Sequence, residues 1–128
     1  MVTGNTFFDD TIPLGINATQ SLDDSNVFTV ASTTASKYNG VIVQGCGQVT
    51  STTQWLVTKA PLVIGDPVTA CNYLTVQGGG HLTLGPDVVL KFFTDGSAGV
   101  SIGGLLTIDA TDWLTCITDD RLNHSCSW

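Results

Sequence analysis

Tyr73-Leu74-Thr75-Val76-Gln77-Gly78-Gly79-Gly80-His81-Leu82-Thr83-Leu84-Gly85-Pro86-Asp87-Val88-Val89-Leu90-Lys91-Phe92 is the stretch whose reading decides the fold. Its apolar residues come in short groups: Leu74-Thr75-Val76, Leu82-Thr83-Leu84 and Val88-Val89-Leu90-Lys91-Phe92. Gly78-Gly79-Gly80 and Gly85-Pro86-Asp87 stand between them as turns. Further on come Val100-Ser101-Ile102, Leu105-Leu106-Thr107-Ile108 and Leu114-Thr115-Cys116-Ile117. Asp95-Gly96-Ser97, Gly103-Gly104 and the segment Asp109 to Asp112 separate these. The sequence thus predicts six short strands between Tyr73 and Asp120.

The strands recur in order. Leu74–Val76 maps onto Val100–Ile102, Leu82–Leu84 onto Leu106–Ile108, and Val88–Leu90 onto Leu114–Cys116. This pattern predicts a parallel β-solenoid. Each strand pairs with its counterpart one turn away, and alternate side chains stack in an inner column. An antiparallel sandwich or jelly roll also uses many short strands, but nothing in it requires the same three to return in sequence. Working outward, Trp55-Leu56-Val57, Leu62-Val63-Ile64, a Gly65-Asp66-Pro67 turn and Val68-Thr69-Ala70 extend the pattern upstream. Residues 1–54 show no clean repeat. Val27–Ala31, Val41–Val43 and Gln48–Thr53 are strand-like, while Phe7-Phe8 and Ile12-Pro13-Leu14 stand in a polar, acidic segment. Pro13 cannot donate to a ladder, so a strand there lies at an edge. The expected organisation is an N-terminal extended arm and β-rich cap over 1–54 and solenoid turns over 55–128, together one compact all-β domain.

The run from Leu74 to Phe92 resembles right-handed parallel β-helix proteins of the pectate-lyase-like superfamily, in particular their extracellular, non-catalytic members. Those proteins carry a leader of the form LTI-x-PG-x-VVKF, then a glycine-bounded V-x-G-x-L strand pair, then an I-x-F-T-S strand followed by acidic residues. The counterparts here are Leu82–Phe92, Val100-Ser101-Ile102-Gly103-Gly104-Leu105-Leu106, and Cys116-Ile117-Thr118-Asp119-Asp120. Asp87 stands where the family usually has Gly, and Cys116-Ile117 replaces the apolar-x-Phe pattern. The resemblance covers about residues 55–120 and implies a short right-handed parallel β-helix of about two to three turns. It is a packing signature and carries no activity. In such proteins a Trp commonly opens the turn after the acidic loop, and Trp128 stands at that place. An uncovered end exposes core side chains and unpaired ladder groups. The chain is therefore expected to be a fragment of a longer β-helix or to have its end covered by another copy, a head-to-tail contact. Phe7, Phe8, Ile12, Leu14 and Trp128 are the expected self-association residues, with the arm as a strand donated to a neighbour.

Composition supports the all-β reading and limits function. All eleven acidic residues are Asp, and Lys37, Lys59, Lys91 and Arg121 are the only basic ones. Of the helix formers, Glu is absent and Lys, Arg, Met and Gln are few, while Thr, Val, Ser and Gly abound. A net charge of −7 and a pI near 4.2 argue against nucleic acid and anionic membrane surfaces as partners. No apolar run reaches the length of a membrane span. Met1-Val2-Thr3-Gly4-Asn5 has neither a basic n-region nor an apolar h-region, so secretion would need a leader removed earlier. Cys46, Cys71, Cys116 and Cys126 form no Cys-x-x-Cys pair, and their setting suits disulfides of an extracellular protein. Proximity favours Cys46–Cys71 and Cys116–Cys126. Asn17-Ala18-Thr19 and Asn123-His124-Ser125 match the glycosylation sequon.

No constellation stands out as catalytic. Asp109, Asp112, Asp119 and Asp120 lie near turn ends and are weak calcium candidates, yet Asp is common in turns because its side chain bonds nearby backbone. Four scattered cations do not line a lyase groove. His81 is expected at a solvent-exposed corner, far in sequence from His124. Trp55 and Trp113 are read as covers for the ends or corners of the solenoid, with Trp128 and these two as a sugar-stacking platform in the alternative. An ice-binding face needs a regular Thr-x-Thr array, which the triplets lack. The sequence therefore leads to a non-enzymatic extracellular structural subunit that self-associates into a filament or surface assembly, needing no cofactor. The alternative is a carbohydrate-binding or adhesin module of a larger surface protein, and more distantly a polysaccharide lyase fragment.

Overall fold

The computed structural model describes residues 1–8, 14–29, 40–44, 46–65, 71, 73–92, 99–108 and 117–118. These residues form short strands and no helix: β1 (Thr6–Phe8), β2 (Leu14–Ile16), β3 (Val27–Thr29), β4 (Val41–Val43), β5 (Gly47–Val49), β6 (Thr52–Trp55), β7 (Leu62–Ile64), β8 (Tyr73–Val76), β9 (His81–Leu84), β10 (Leu90–Phe92), β11 (Gly99–Ile102), β12 (Leu105–Ile108) and β13 (Ile117–Thr118). The fold is all-β, and every strand pairing is parallel.

Four sheets result. Sheet I has the order β2-β4-β7-β10-β13, sheet II β5-β8-β11, sheet III β6-β9-β12, and sheet IV β1-β3. From β4 to β13 the chain visits sheets I, II and III in strict rotation. The registers coincide with the sequence repeat. Leu74 faces Val100 and Val76 faces Ile102; Leu82 faces Leu106 and Leu84 faces Ile108.

Alternation explains sheets II and III. Val49, Leu74 and Val76 in sheet II and Thr53, Trp55, Leu82 and Leu84 in sheet III are buried, while Gln48, Tyr73, Thr52 and Gln54 between them are exposed. Stacked passages thus build one inner column, including Val49–Val76 and Thr53–Leu82. Burying each Leu or Val there contributes about 1.5–3 kcal/mol. Sheet I differs. Val41-Ile42-Val43 and Leu62-Val63-Ile64 are buried at every position, as in strands covered on both faces.

The N-terminal residues are part of this architecture. The boundary expected at residue 54 falls inside β6, and β4, β5 and β6 pair with β7, β8 and β9. Sheet III is continued by single bridges from Trp55 to Leu22 and from Leu22 to Val2. Phe7-Phe8 is not a free arm. It lies in β1, pairs with β3, and the Phe7 ring stacks on Phe28 with centroids 5.2 Å apart. Trp55, expected as a cover, is fully buried between Leu22 and Leu84, and its indole Nε1–H donates to the Gln20 carbonyl at 3.1 Å.

Corners hold the passages in register. Between sheets II and III, Gln77 N–H donates to Val49 O at 3.0 Å, and one passage later Gly103 N–H donates to Val76 O at 2.7 Å. The backbones approach so closely that a Cβ on Gly80 would collide with Val49 O, and one on Gly104 with the carbonyls of Gln77 and Gly80. In the next corner Asp87 has φ 60°, the left-handed region that Gly enters at least cost.

Gly80→Ala should lower unfolding stability by about 1–3 kcal/mol, because its Cβ meets backbone oxygen that cannot move alone. Gly78→Ala, where only Gly103 O lies within ordinary contact distance at 3.9 Å, should cost much less. Denaturant titration of the two variants checks the contrast.

Candidate functional site

Three surfaces carry side chains able to engage a partner. The first is the end rung of sheets II and III. β11 and β12 are the end strands of their sheets among the described residues. Ile102 is 51% exposed although its register partner Val76 is 0% exposed. Ile108 is 38% exposed where its partner Leu84 is 3%. Val100 and Leu106 pack partly against the core. These four residues occupy inward positions, so the end of the column is apolar and partly open. Leu105, also exposed, faces His81 in register and so belongs to the outer face of sheet III.

The second surface is the outer side of sheets II and III. None of β5, β6, β8, β9, β11 or β12 contains Asp, Lys or Arg. In sheet III the outward residues bond one another: His81 Nε2 lies 2.9 Å from Thr107 Oγ1 and 3.4 Å from Thr83 Oγ1. His81 is half-buried within β9, not at a bare corner. In sheet II, Gln48, Thr75 and Ser101 form one outward row in register. Tyr73, beside Gly99 in register, is 46% exposed.

The third is a set of polar clamps near the N-terminal passages. Asp24 Oδ1 accepts the backbone N–H groups of Thr58 at 2.7 Å and Lys59 at 3.3 Å, and its Oδ2 accepts the Thr58 hydroxyl at 2.5 Å. Lys59 Nζ donates to the Asp24 carbonyl at 2.7 Å. Burial raises the Asp24 pKa, but the bonds from Thr58 and Lys59 and the Lys59 charge outweigh it, leaving a net lowering below 3.8. Asn26 is fully buried; its Nδ2 donates to Val2 O at 2.9 Å and Asp23 O at 3.3 Å, and its Oδ1 accepts from Asn5 N–H and Asn5 Nδ2. Asp23 is held low by the Ser25 hydroxyl and backbone N–H. Asp23-Asp24 is visible in the sequence only as an acidic pair, and nothing local marks Thr58-Lys59 as its partner.

Of the residues singled out from sequence, Cys46 and Cys71 are joined by a disulfide across one passage, with Cα atoms 5.3 Å apart. Asn17 is exposed in a turn closed by Gln20 N–H to Asn17 O at 2.9 Å. Phe7 and Leu14 pack within the chain, and Phe8 is exposed. Cys116, Cys126, Asp109, Asp112, Asp119, Asp120, Ile12, Asn123 and Trp128 lie outside the described residues. Among the described residues no three His, Cys, Asp or Glu side chains gather as a metal site. Among the described residues no helix is long and apolar enough to cross a membrane.

No family model matches the chain, and no curated protein or solved structure does.

Two predictions concern the clamps. Because the Asp24 pKa is lower in the folded state, its stabilisation is complete above the unfolded value of 3.8 and is lost as pH falls through the folded value. Asp24→Asn should therefore melt below wild type at pH 7, with the gap closing as pH drops below that range. Replacing Cys46 and Cys71 together by Ser should cost about 3 kcal/mol for a loop of this length, read from chemical denaturation.

Proposed function

We infer that the chain is a short right-handed parallel β-helix serving as a non-enzymatic extracellular structural subunit, and that it self-associates end to end. The observation that carries this reading is the end rung: Ile102 and Ile108 stand exposed at positions whose register partners are buried. The rotation of strands through sheets I, II and III supports the β-helix. A strand bearing alternate apolar residues fits such an edge, continuing the ladder and closing the column. The chain's own strands have that pattern. At the opposite end, β1 and β2 are the end strands of sheets IV and I, with Phe8 exposed beside them. End-to-end joining of unlike faces is heterologous and propagates into a filament unless it closes. The Cys46–Cys71 disulfide is compatible with an extracellular location.

Electron microscopy of the purified protein should show filaments with a regular axial repeat, and sedimentation should show concentration-dependent growth. Ile102→Asp with Ile108→Asp should abolish growth while leaving the far-UV circular dichroism unchanged. Leu105→Asp, on the outer face, should still assemble. A monodisperse monomer in light scattering at high concentration would overturn the reading.

A further inference from the structure

We propose that Asn17 is a covalent modification site, whose side-chain amide takes an oligosaccharide from a polyprenyl-diphosphate carrier, with Thr19 as the hydroxyl that the transfer requires. The proposal rests on the extracellular part of the reading above and not on end-to-end assembly.

The local backbone is the first observation. β2 ends at Ile16, and Asn17-Ala18-Thr19-Gln20 turns the chain. Gln20 closes this turn twice. Its N–H donates to Asn17 O at 2.9 Å, and its Oε1 accepts the Asn17 N–H at 2.8 Å. Ala18 is 2% exposed and packs against Gly47, where an added Cβ would meet it at 2.9 Å. Asn17 and Thr19, on either side of Ala18, are both exposed. The two residues that the Asn-x-Thr signal needs thus stand in solvent on one fixed turn, while the middle residue anchors it.

The second observation is that the Asn17 amide has no structural task. Asparagine in a turn ordinarily bonds nearby backbone. Here the Gln20 side chain caps the turn instead. Neither the Asn17 amide nor the Thr19 hydroxyl makes a side-chain hydrogen bond among the described residues. The other described asparagines differ. Asn5 Nδ2 donates to Thr3 O at 3.1 Å and to Asn26 Oδ1 at 3.0 Å. Asn26 is fully buried, with its Nδ2 on Val2 O and Asp23 O. Two residues beyond them stand Phe7 and Phe28, which offer no hydroxyl.

Room is the third. β2 is the end strand of sheet I among the described residues, so a branched sugar on the residue after it meets no further passage on that side. The oxidising compartment that suits the Cys46–Cys71 disulfide is also the setting for this transfer. In the reaction the amide nitrogen attacks the anomeric carbon of the donor. The C–N bond forms, the C–O bond to the diphosphate breaks, and the amide gives up one proton as the polyprenyl diphosphate leaves.

The test is secretion of the chain behind a cleavable leader from a eukaryotic host, with the protein purified from the medium. Peptide-N-glycosidase in heavy-oxygen water should lower its mass and leave labelled aspartate at position 17 in the peptide map. Asn17→Gln and Thr19→Ala should each remove that label, and Thr19→Ser should keep it. All three variants should melt as wild type, because the replaced groups hold no partner. Folded, secreted protein with Asn17 unmodified, or a label at position 17 that survives Thr19→Ala, would overturn the site and leave the extracellular reading standing. Secreted protein lacking the Cys46–Cys71 linked peptide and the far-UV circular dichroism of the folded chain would overturn both.

Discussion

In-register parallel pairing between successive passages is the constraint on which everything else depends. A parallel strand has no partner nearby in sequence, so its backbone donors and acceptors are satisfied only when the next passage arrives at the same height. Register then fixes which side chains stack. A slip of one residue would turn Leu74 and Val76 outward and bring Tyr73 and Thr75 into the column. The corners enforce the register. Where Gly80 and Gly104 pass over the carbonyls of Val49 and Gln77, there is no room for a Cβ, and the N–H groups of Gln77 and Gly103 reach the passage below. Glycine at these points is a steric requirement, and the alternating strands between them follow.

The second half of the chain is legible because its corners are similar in length. Leu74 with Val100 and Leu82 with Leu106 fall at nearly constant spacing, so comparing the sequence with itself recovers the true pairs. The first half hides the same arrangement. The sheet III ladder runs Val2, Leu22, Trp55, Leu84, and the interval from Leu22 to Trp55 is far longer than that from Val2 to Leu22. A passage can absorb extra residues in a corner without disturbing its strands, so a fixed period disappears while the sheets persist. Phe7-Phe8 looked like a free apolar arm for the same reason: its partner, Phe28, is one irregular passage away.

Side-chain roles were less legible than strands. Trp55 was expected at a cover, because tryptophan is large and carries a polar N–H. The column accommodates it because Gln20 O meets that N–H. Asp24 draws its partners from Thr58 and Lys59, and Asn26 from Val2 and Asn5; both sets are assembled only by stacking. Such clamps tie the segment after the Leu22 bridge to its neighbours, Asn26 to Val2 and Asn5 and Asp24 to Thr58 and Lys59. They satisfy corner N–H and C=O groups that no ladder reaches, which is why a short polar side chain is buried there at all.

The distribution of polar groups also decides which surfaces remain open. Sheet I is apolar on both sides at β4 and β7, with Ile42 and Val63 buried on outward register, so its middle is not an available face. In sheet III the outward hydroxyls of Thr83 and Thr107 lie against His81. Among the described residues Asp23, Asp24, Lys59 and Asp87 lie outside the strands and Lys91 lies in β10, so the strands of sheets II and III hold no Asp, Lys or Arg. A neutral parallel face has an edge-to-edge aggregation hazard only at its end strands, because the inner strands are already paired on both sides. At the end rung the unpaired sides of β11 and β12 coincide with the exposed Ile102 and Ile108, so among the described residues backbone and apolar side chains stand open together there.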